Sequence, residues 1–296
     1  MKSSGKVAII IPNYNGERVL FDCISSILKS TYQDYAIIIV DDHSAHFAAS
    51  RLTGIDSRII CIQNEENLGF SASINKGIKY AVEHDFDYIM PLNNDTLIDN
   101  HMLAILVTAS ARKYVTVPTM YYAAHRDVIW YGGGKIDSRS GRVIHTGRNK
   151  RSVGQTFIKE VTFATGCCLL IPAFIIKEIG MLDTAYYMYY EDVEYSARIT
   201  VNRYKILYVS NALLWHRVNF TTSKVGGNSL YYTKRNWLHF IKTSSYIADK
   251  RGAYLYVLKD SFRELCSREH SLKYKQTLIC AWTDFLCGKT GKTKNF

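Results

Sequence analysis

The seven cysteines of the 296-residue chain, at positions 23, 61, 167, 168, 266, 280 and 287, form no CxxC pair and no cysteine–histidine spacing of the zinc-binding kind. Their number is odd, so a disulfide framework is not the organising device, and a reduced, cytoplasmic chain is expected. Neither GxGxxG after the first apolar run nor GxxxxGK[ST] occurs anywhere, which argues against a dinucleotide oxidoreductase and a P-loop NTPase. No apolar run approaches the roughly 18 to 20 residues that span a bilayer, and the run before Pro12 is too short for a signal-peptide core. A chain neither secreted by that route nor integral to a membrane is therefore expected. Acidic residues are scarce in one place: residues 231–296 hold 13 Lys/Arg against 5 Asp/Glu, a surplus of +8, whereas the first 230 residues carry only +3 of the net +11. Such a basic third suits either a solvated face or a partner such as an anionic lipid surface.

What is present is enough apolar residue, 47%, for a sizeable core in one large or two small domains. Short β-rich runs alternate with helix-period segments, the pattern of an α/β open sheet. "KVAIIIP", "YAIIIVDD", "RIICIQ" and "DYIMPL" read as four strands, followed by "VTVP". Helices are expected near Glu17–Ser30, Ser71–Glu83 and Asn100–Ala111. Between Tyr121 and Gly154 a Gly-rich, basic and aromatic stretch reads as hairpins or a flexible lid, with Gly132 to Gly134 as a hinge or turn. "FATGCCLLIP" reads as a return to strand, Glu191–Asn202 as a helix and "KILYVSNALLWH" as one or two strands. Residues 229–288 read as mostly helical.

Open α/β sheets bind ligands at the carboxyl ends of their strands. Each of the first four strands ends in Asn or Asp: Pro12-Asn13-Tyr14-Asn15, Asp41-Asp42, Asn64 to Asn67, and Asn93-Asn94-Asp95. Any one cluster is readily a turn or a helix cap; four together point to a ligand site. A second acidic pair, Glu191 and Asp192, opens a helix, where the helix dipole favours carboxylates in any case. Tyr186, Tyr187, Tyr189 and Tyr190 beside it, with Met181 and Met188, suggest an aromatic wall against which a carboxylate acts as a general base of raised pKa.

These pieces, in this order, resemble the bacterial family 2 glycosyltransferases of the GT-A fold, in particular the rhamnosyltransferase-like branch. "VAIIIPNYNG", "IIIVDDHS", "NEENLGFSASINKGI", "PLNNDT", "TGCCLLIP", "YEDVEYSAR", "LWHRVNFTTS", "YYTKRNWL" and "DFLCGKTGK" carry the likeness almost end to end. It implies a Rossmann-like mixed open sheet flanked by helices, with residues 1–228 as the catalytic domain and 229–296 as a helical, basic C-terminal extension. Residues up to about 118 would bind a nucleotide-diphosphate sugar, and 119–228 a glycan or lipid-linked acceptor. Pro12, Asn13, Tyr14, Asn15, Asp41 and Asp42 would line the nucleoside pocket, and Asn67, Gly69 and Asn75 its floor. Asn93 and Asn94 stand in the family's metal motif, where Asp95 would bind Mg²⁺ or Mn²⁺, with His216 as a second ligand or a structural histidine. Asp192 would be the base of an inverting transfer and Glu191 its neighbour. Arg235 would pair with the diphosphate or serve as a structural cap. The donor favoured by the likeness is dTDP-rhamnose, with UDP-hexoses next, and the basic helices would hold the enzyme at the inner face of the plasma membrane. A sugar nucleotidyltransferase and a non-catalytic nucleotide-sugar or nucleic-acid binder are the competing readings. The first lacks its Gly-rich basic loop after strand one, and the last leaves the acidic strand ends unexplained, so no nucleic-acid partner is expected.

Overall fold

Five consecutive residues, Val7 to Ile11, have no exposed surface, which requires a strand covered on both faces. That strand, β1 (Val7–Asn13), is followed by α1 (Glu17–Ile27), β2 (Tyr35–Asp41), α2 (Ala49–Thr53), β3 (Ile59–Gln63), α3 (Phe70–Glu83) and β4 (Tyr88–Pro91). The computed structural model describes residues 5–47, 49–152, 154–218 and 226–293. β1 pairs parallel with both β2 and β4, and β2 with β3, so the helices are crossovers between parallel strands. Helix α1 turns Val19, Leu20, Cys23, Ile24 and Ile27 to the sheet, and α3 turns Ile74, Ile78 and Ala81. This is the expected periodic face of each helix.

The chain then builds a second sheet from β5 (Thr96–Ile98), β6 (Val115–Tyr122), β7 (His125–Tyr131), β10 (Ile158–Val161) and β12 (Ile206–His216), with α4 (Met102–Ser110) packed on it. A small hairpin, β8 (Gly134–Ile136) with β9 (Val143–His145), lies beside it. The stretch from Tyr121 to Gly154 is thus hairpins, and Gly132–Gly134 links β7 to β8. β12 is a single strand with an irregularity between Val209 and Leu213.

One expectation needs correcting. "FATGCCLLIP" is not a strand along its length: only Ile171–Pro172 (β11) joins the first sheet, antiparallel to β4. Its residues bridge different sheets, Cys168 to Leu92 and Leu170 to Thr116, so the segment crosses between the two instead of extending either. The two sheets interleave along the chain, β5 belonging to the second and β11 to the first.

After α5 (Ala173–Ile179) and α6 (Glu191–Val201), the helices α7 (Gly226–Thr243), α8 (Lys250–Cys266) and α9 (Leu272–Leu286) complete the chain's regular structure. Trp237, Leu238, Phe240 and Ile241 of α7 and Ala253 and Val257 of α8 belong to the same core cluster as β1 and β2. The extension is packed into the catalytic body, not appended to it. Residues 219–223 of "LWHRVNFTTS" lie outside the described residues.

Candidate active site

The ends of β1 and β2 are tied by side chains. Asn13 donates to Asp41 Oδ1 at 3.0 Å and accepts from Asn94 Nδ2 at 2.9 Å. Asp41 also accepts from the Ser44 hydroxyl at 2.6 Å and the Ser44 amide at 2.9 Å, and has no exposed surface. Asn15 Oδ1 caps the Ala45 amide, and its own amide donates to Ser44 Oγ. Gly16 is required here because a Cβ would sit 2.3 Å from Asn94 Nδ2. Pro12 is half-buried, whereas Tyr14 is 51% exposed at the rim. Asp41, Asn13 and Asn94 therefore shape the pocket frame rather than present free groups to it.

Asp42 performs the same service one loop away. Its Oδ1 accepts from Asn64 Nδ2 and the Leu68 amide, both at 2.8 Å, and its Oδ2 from the Gly69 amide at 2.9 Å. Gly69 has φ +87°, and the Tyr187 ring lies where its Cβ would be. Asn67 Oδ1 accepts from the Tyr187 hydroxyl and from Lys292 Nζ. Asn75, expected on the pocket floor, uses both halves of its amide on the backbone of Leu182, at 2.8 and 3.0 Å. It is a brace between α3 and the segment before α6.

Asp95 and His216 meet because β5 pairs antiparallel with β12, Thr96 opposite His216. His216 Nε2 lies 3.1 Å from Asp95 Oδ1. Asp95 Oδ1 and His216 Nδ1 are both buried without a hydrogen bond. Asn93 is half-buried, and its backbone is held by Cys167 and Thr96. A buried carboxylate oxygen and an imidazole nitrogen converging at 3.1 Å fit a divalent ion whose other positions come from phosphate and water. Among the described residues no group of three or more His, Cys, Asp or Glu forms a protein-only cage. Trp130, which the sequence did not single out, meets the His216 ring edge-on at 4.6 Å and fixes its plane.

Glu191 and Asp192 begin α6 directly after two consecutive non-glycine residues in the left-handed region, Tyr189 at φ 64° and Tyr190 at φ 72°. Such residues cost about 1 kcal/mol or more each, so something must hold them. Asn236 of α7 does so, donating to the carbonyls of Met188 at 2.9 Å and Tyr189 at 2.8 Å. Arg235 grips the Asn236 carbonyl oxygen in turn, through Nε at 3.0 Å and Nη2 at 2.9 Å. The guanidinium is buried between Tyr231 and Tyr232, with Nη1 on Thr293. Arg235 thus braces Asn236 and Thr293, the contacts of the structural alternative rather than of a diphosphate ligand. Tyr186 and Tyr190 are core residues; only Tyr187, Met188 and Tyr189 remain half-buried of the expected wall, with Met181 exposed.

Asp192 Oδ2 accepts from the Gly166 amide and Oδ1 from the Val193 amide, each at 2.9 Å. A small pocket beside the pair is lined by apolar Phe70, Ile78, Pro91, Leu169 and Ile171. Burial raises the Asp192 carboxyl above its usual range, while these amide donors hold it down. Burial, reinforced by the Asp192 charge, pushes Glu191 well up, and its Oε2 has no partner. Of the two, Glu191 is buried, whereas Asp192 is half-buried and keeps two amide donors on its carboxylate. The loop 166–167 joins both chemical centres, since Cys167 accepts from the Asn93 amide while Gly166 donates to Asp192.

A profile described as "Glycosyl transferase family 2" matches residues 8–180. An uncharacterized glycosyltransferase of Rickettsia typhi is 26% identical over 252 residues, 80% of this chain and 71% of that protein. A poly-beta-1,6-N-acetyl-D-glucosamine synthase of Staphylococcus epidermidis is 27% identical over 225 residues, 75% of this chain and 51% of the synthase, so the chain spans about half the length of that relative. Among solved structures, GalNAc-T7 with UDP, GalNAc and Mn²⁺ has a TM-score of 0.67 at 17% identity, covering 95% of this chain and 56% of that one. Residues 1–349 of S. aureus TarS give 0.62 at 15% identity, covering 96% and 81%. The profile spans more than half of the chain and the solved structures share its open-sheet architecture: the chain has the GT-A fold and belongs to glycosyl transferase family 2.

Proposed function

We propose that the chain transfers a sugar, with inversion, from a nucleotide-diphosphate donor to a hydroxyl of a glycan or lipid-linked acceptor. The observation that carries this reading is the half-buried carboxylate of Asp192, held by the Gly166 amide on the same loop that anchors the Asn93–Asp95 turn. Asp95, with His216, would hold Mg²⁺ or Mn²⁺, which when bound neutralises charge on the donor's phosphates. Asp192 takes the proton of the acceptor hydroxyl as that oxygen forms its bond to the anomeric carbon. The bond from that carbon to the phosphate oxygen breaks, and the nucleoside diphosphate leaves with the electron pair. No general acid is needed, because the leaving group is already a phosphate.

The donor we favour is dTDP-rhamnose, on the sequence resemblance; the UDP bound to the structural neighbour GalNAc-T7 keeps UDP-hexoses next. The test is a panel of nucleotide sugars with Mn²⁺ or Mg²⁺, followed by release of nucleoside diphosphate. Slow hydrolysis of one donor is expected, and absence of both turnover and nucleotide binding across the panel would overturn the reading.

The acceptor side of the proposal is an anionic membrane surface at the inner face of the plasma membrane. Leu255, Leu258 and Phe262 stand 56%, 52% and 65% exposed at i, i+3 and i+7 of α8, so they share one face. Arg251, Lys259 and Arg263 are exposed on the same helix. An apolar stripe flanked by cations suits interfacial docking. Among the described residues no helix is long and apolar enough to cross a membrane. Flotation with anionic liposomes checks this: salt-sensitive binding lost in Leu258→Glu/Phe262→Glu supports it, and no binding removes it while leaving the chemistry intact.

A further inference from the structure

After α9 the chain turns back over the site. Lys289 closes the helix end on Asp284, and Gly291 donates its amide to the Ala185 carbonyl at 2.8 Å. Thr293 is clamped: its amide donates to Tyr232 Oη at 3.2 Å, and its hydroxyl lies 2.9 Å from Arg235 Nη1 and 2.7 Å from Tyr231 Oη. Lys292 stands between these two anchors. Its ammonium reaches across to the loop after β3, donating to Asn67 O at 3.1 Å and Asn67 Oδ1 at 3.3 Å, and lies 5.7 Å from the Tyr187 ring centroid.

Two features make this more than a surface contact. Lys292 is exposed, yet its charge is spent on neutral acceptors, and it is in none of the ion pairs among the described residues. The Asn67 it touches donates to the Asp42 carbonyl, at the carboxyl end of β2. The position along the pocket follows from the strand order β4-β1-β2-β3. Three strand spacings, about 14 Å, separate the loop after β3 from the Asp95 turn after β4. Lys292 is therefore at the end of the pocket away from the candidate metal ligands, where a nucleoside would lie rather than its phosphates.

We propose that the segment 289–293 is a wall of the donor pocket and that Lys292 donates to a ring carbonyl oxygen of the donor's base, making it a residue that selects uracil, thymine or guanine nucleotides over adenine. The inference rests on the donor-pocket reading above. Arg235 and Asn236 then act at two places at once, holding the turn before Asp192 and the segment that carries Lys292.

The test is calorimetric binding of UDP, dTDP, GDP and ADP with Mn²⁺, and of the free nucleoside of whichever binds, to wild type, Lys292→Met and Lys292→Arg. Methionine keeps an unbranched side chain of similar reach and removes the donor. A charged donor on a carbonyl acceptor is worth about tenfold in affinity. The expected result is a loss of that size in Lys292→Met, equal for nucleoside and diphosphate, with discrimination against ADP reduced and partial recovery in Lys292→Arg. In turnover the donor KM rises while kcat is kept. Unchanged affinity overturns the proposal, and so does a loss confined to the diphosphate, which would put the ammonium on phosphate instead. A wild-type protein that binds no nucleotide overturns the donor-pocket reading itself.

Discussion

At the ends of β1 and β2, both polar atoms of Asn13 and all four carboxylate oxygens of Asp41 and Asp42 are engaged by the chain's own donors and acceptors. Around β5, β12 and α6 the pattern differs: Asp95 Oδ1 has only His216 Nε2 at 3.1 Å, and His216 Nδ1 and Glu191 Oε2 are buried with no hydrogen bond. Burying a polar atom without a partner costs about 1–3 kcal/mol, so two such atoms on the residues we propose for the chemistry leave groups free to meet a ligand. In the proposed function the first region is a frame tied by its own hydrogen bonds, and the second is where the chemistry would be done. Substitutions should therefore fail differently: in the frame by loss of stability, in the second region by loss of turnover with the fold intact.

The sharpest division comes at Asp192. Asp192→Asn keeps the shape and the carbonyl acceptor but cannot take a proton, so kcat should fall about 10³-fold, with nucleotide affinity unchanged. Because burial raises this carboxyl, the acid limb of the wild-type rate profile should sit above the ordinary carboxylate range, activity rising with pH through it. Near-normal turnover in the variant removes Asp192 as the base. Next in size is Asp95→Ala, which should cost about 10²-fold in kcat/KM and abolish metal-dependent nucleotide binding, while His216→Gln should cost about tenfold. If the described residues offer the metal no more than Asp95 and His216, as we propose, Mn²⁺ alone should bind weakly and tighten when a nucleotide sugar is added. Tight Mn²⁺ binding without nucleotide, read by calorimetry, would contradict that.

Periodicity sufficed for the parallel strands and for the faces of α1 and α3, because each is a local repeat buried against one sheet. It did not suffice for "FATGCCLLIP", whose apolar run looks like a strand but whose hydrogen bonds go to two different sheets. Pairings such as Asp95 with His216 depend on the register of strands more than a hundred residues apart, which no local pattern encodes. The resemblance supplied their company, not their geometry. Arg235 shows the same limit: a guanidinium in a polar motif reads equally as a phosphate ligand or a brace, and only its partners Asn236 and Thr293 decide.

On the frame side, Asp42→Ala removes the acceptor of three donors, stranding the Leu68 and Gly69 N–H groups and leaving the buried Asn64 amide with Ser73 Oγ alone. A loss of about 2 kcal/mol in unfolding free energy is expected, read from the urea midpoint with unchanged slope. The loop 64–69 should lose hydrogen-exchange protection first. A variant of native stability that had merely lost nucleotide affinity would move Asp42 from the frame to the binding contacts.

The smallest effect probes the second region from the stability side. Glu191 is pushed well above the usual carboxylate range by burial and by the Asp192 charge. The folded state therefore retains a proton that the unfolded chain has released, and between those two values stability falls as pH rises. Glu191→Gln replaces the protonated acid with a neutral amide of the same shape and removes that titration. Above neutral pH the variant should be more stable than wild type, by on the order of 1 kcal/mol. The gain should fade toward about pH 4, where the wild-type acid is protonated in both states. Parallel thermal-melt series from acid to mildly alkaline pH check it. If glutamine instead destabilises at alkaline pH, Glu191 is ionised and paired in the native protein, and the division between frame and chemistry would have to be redrawn through the carboxylate pair.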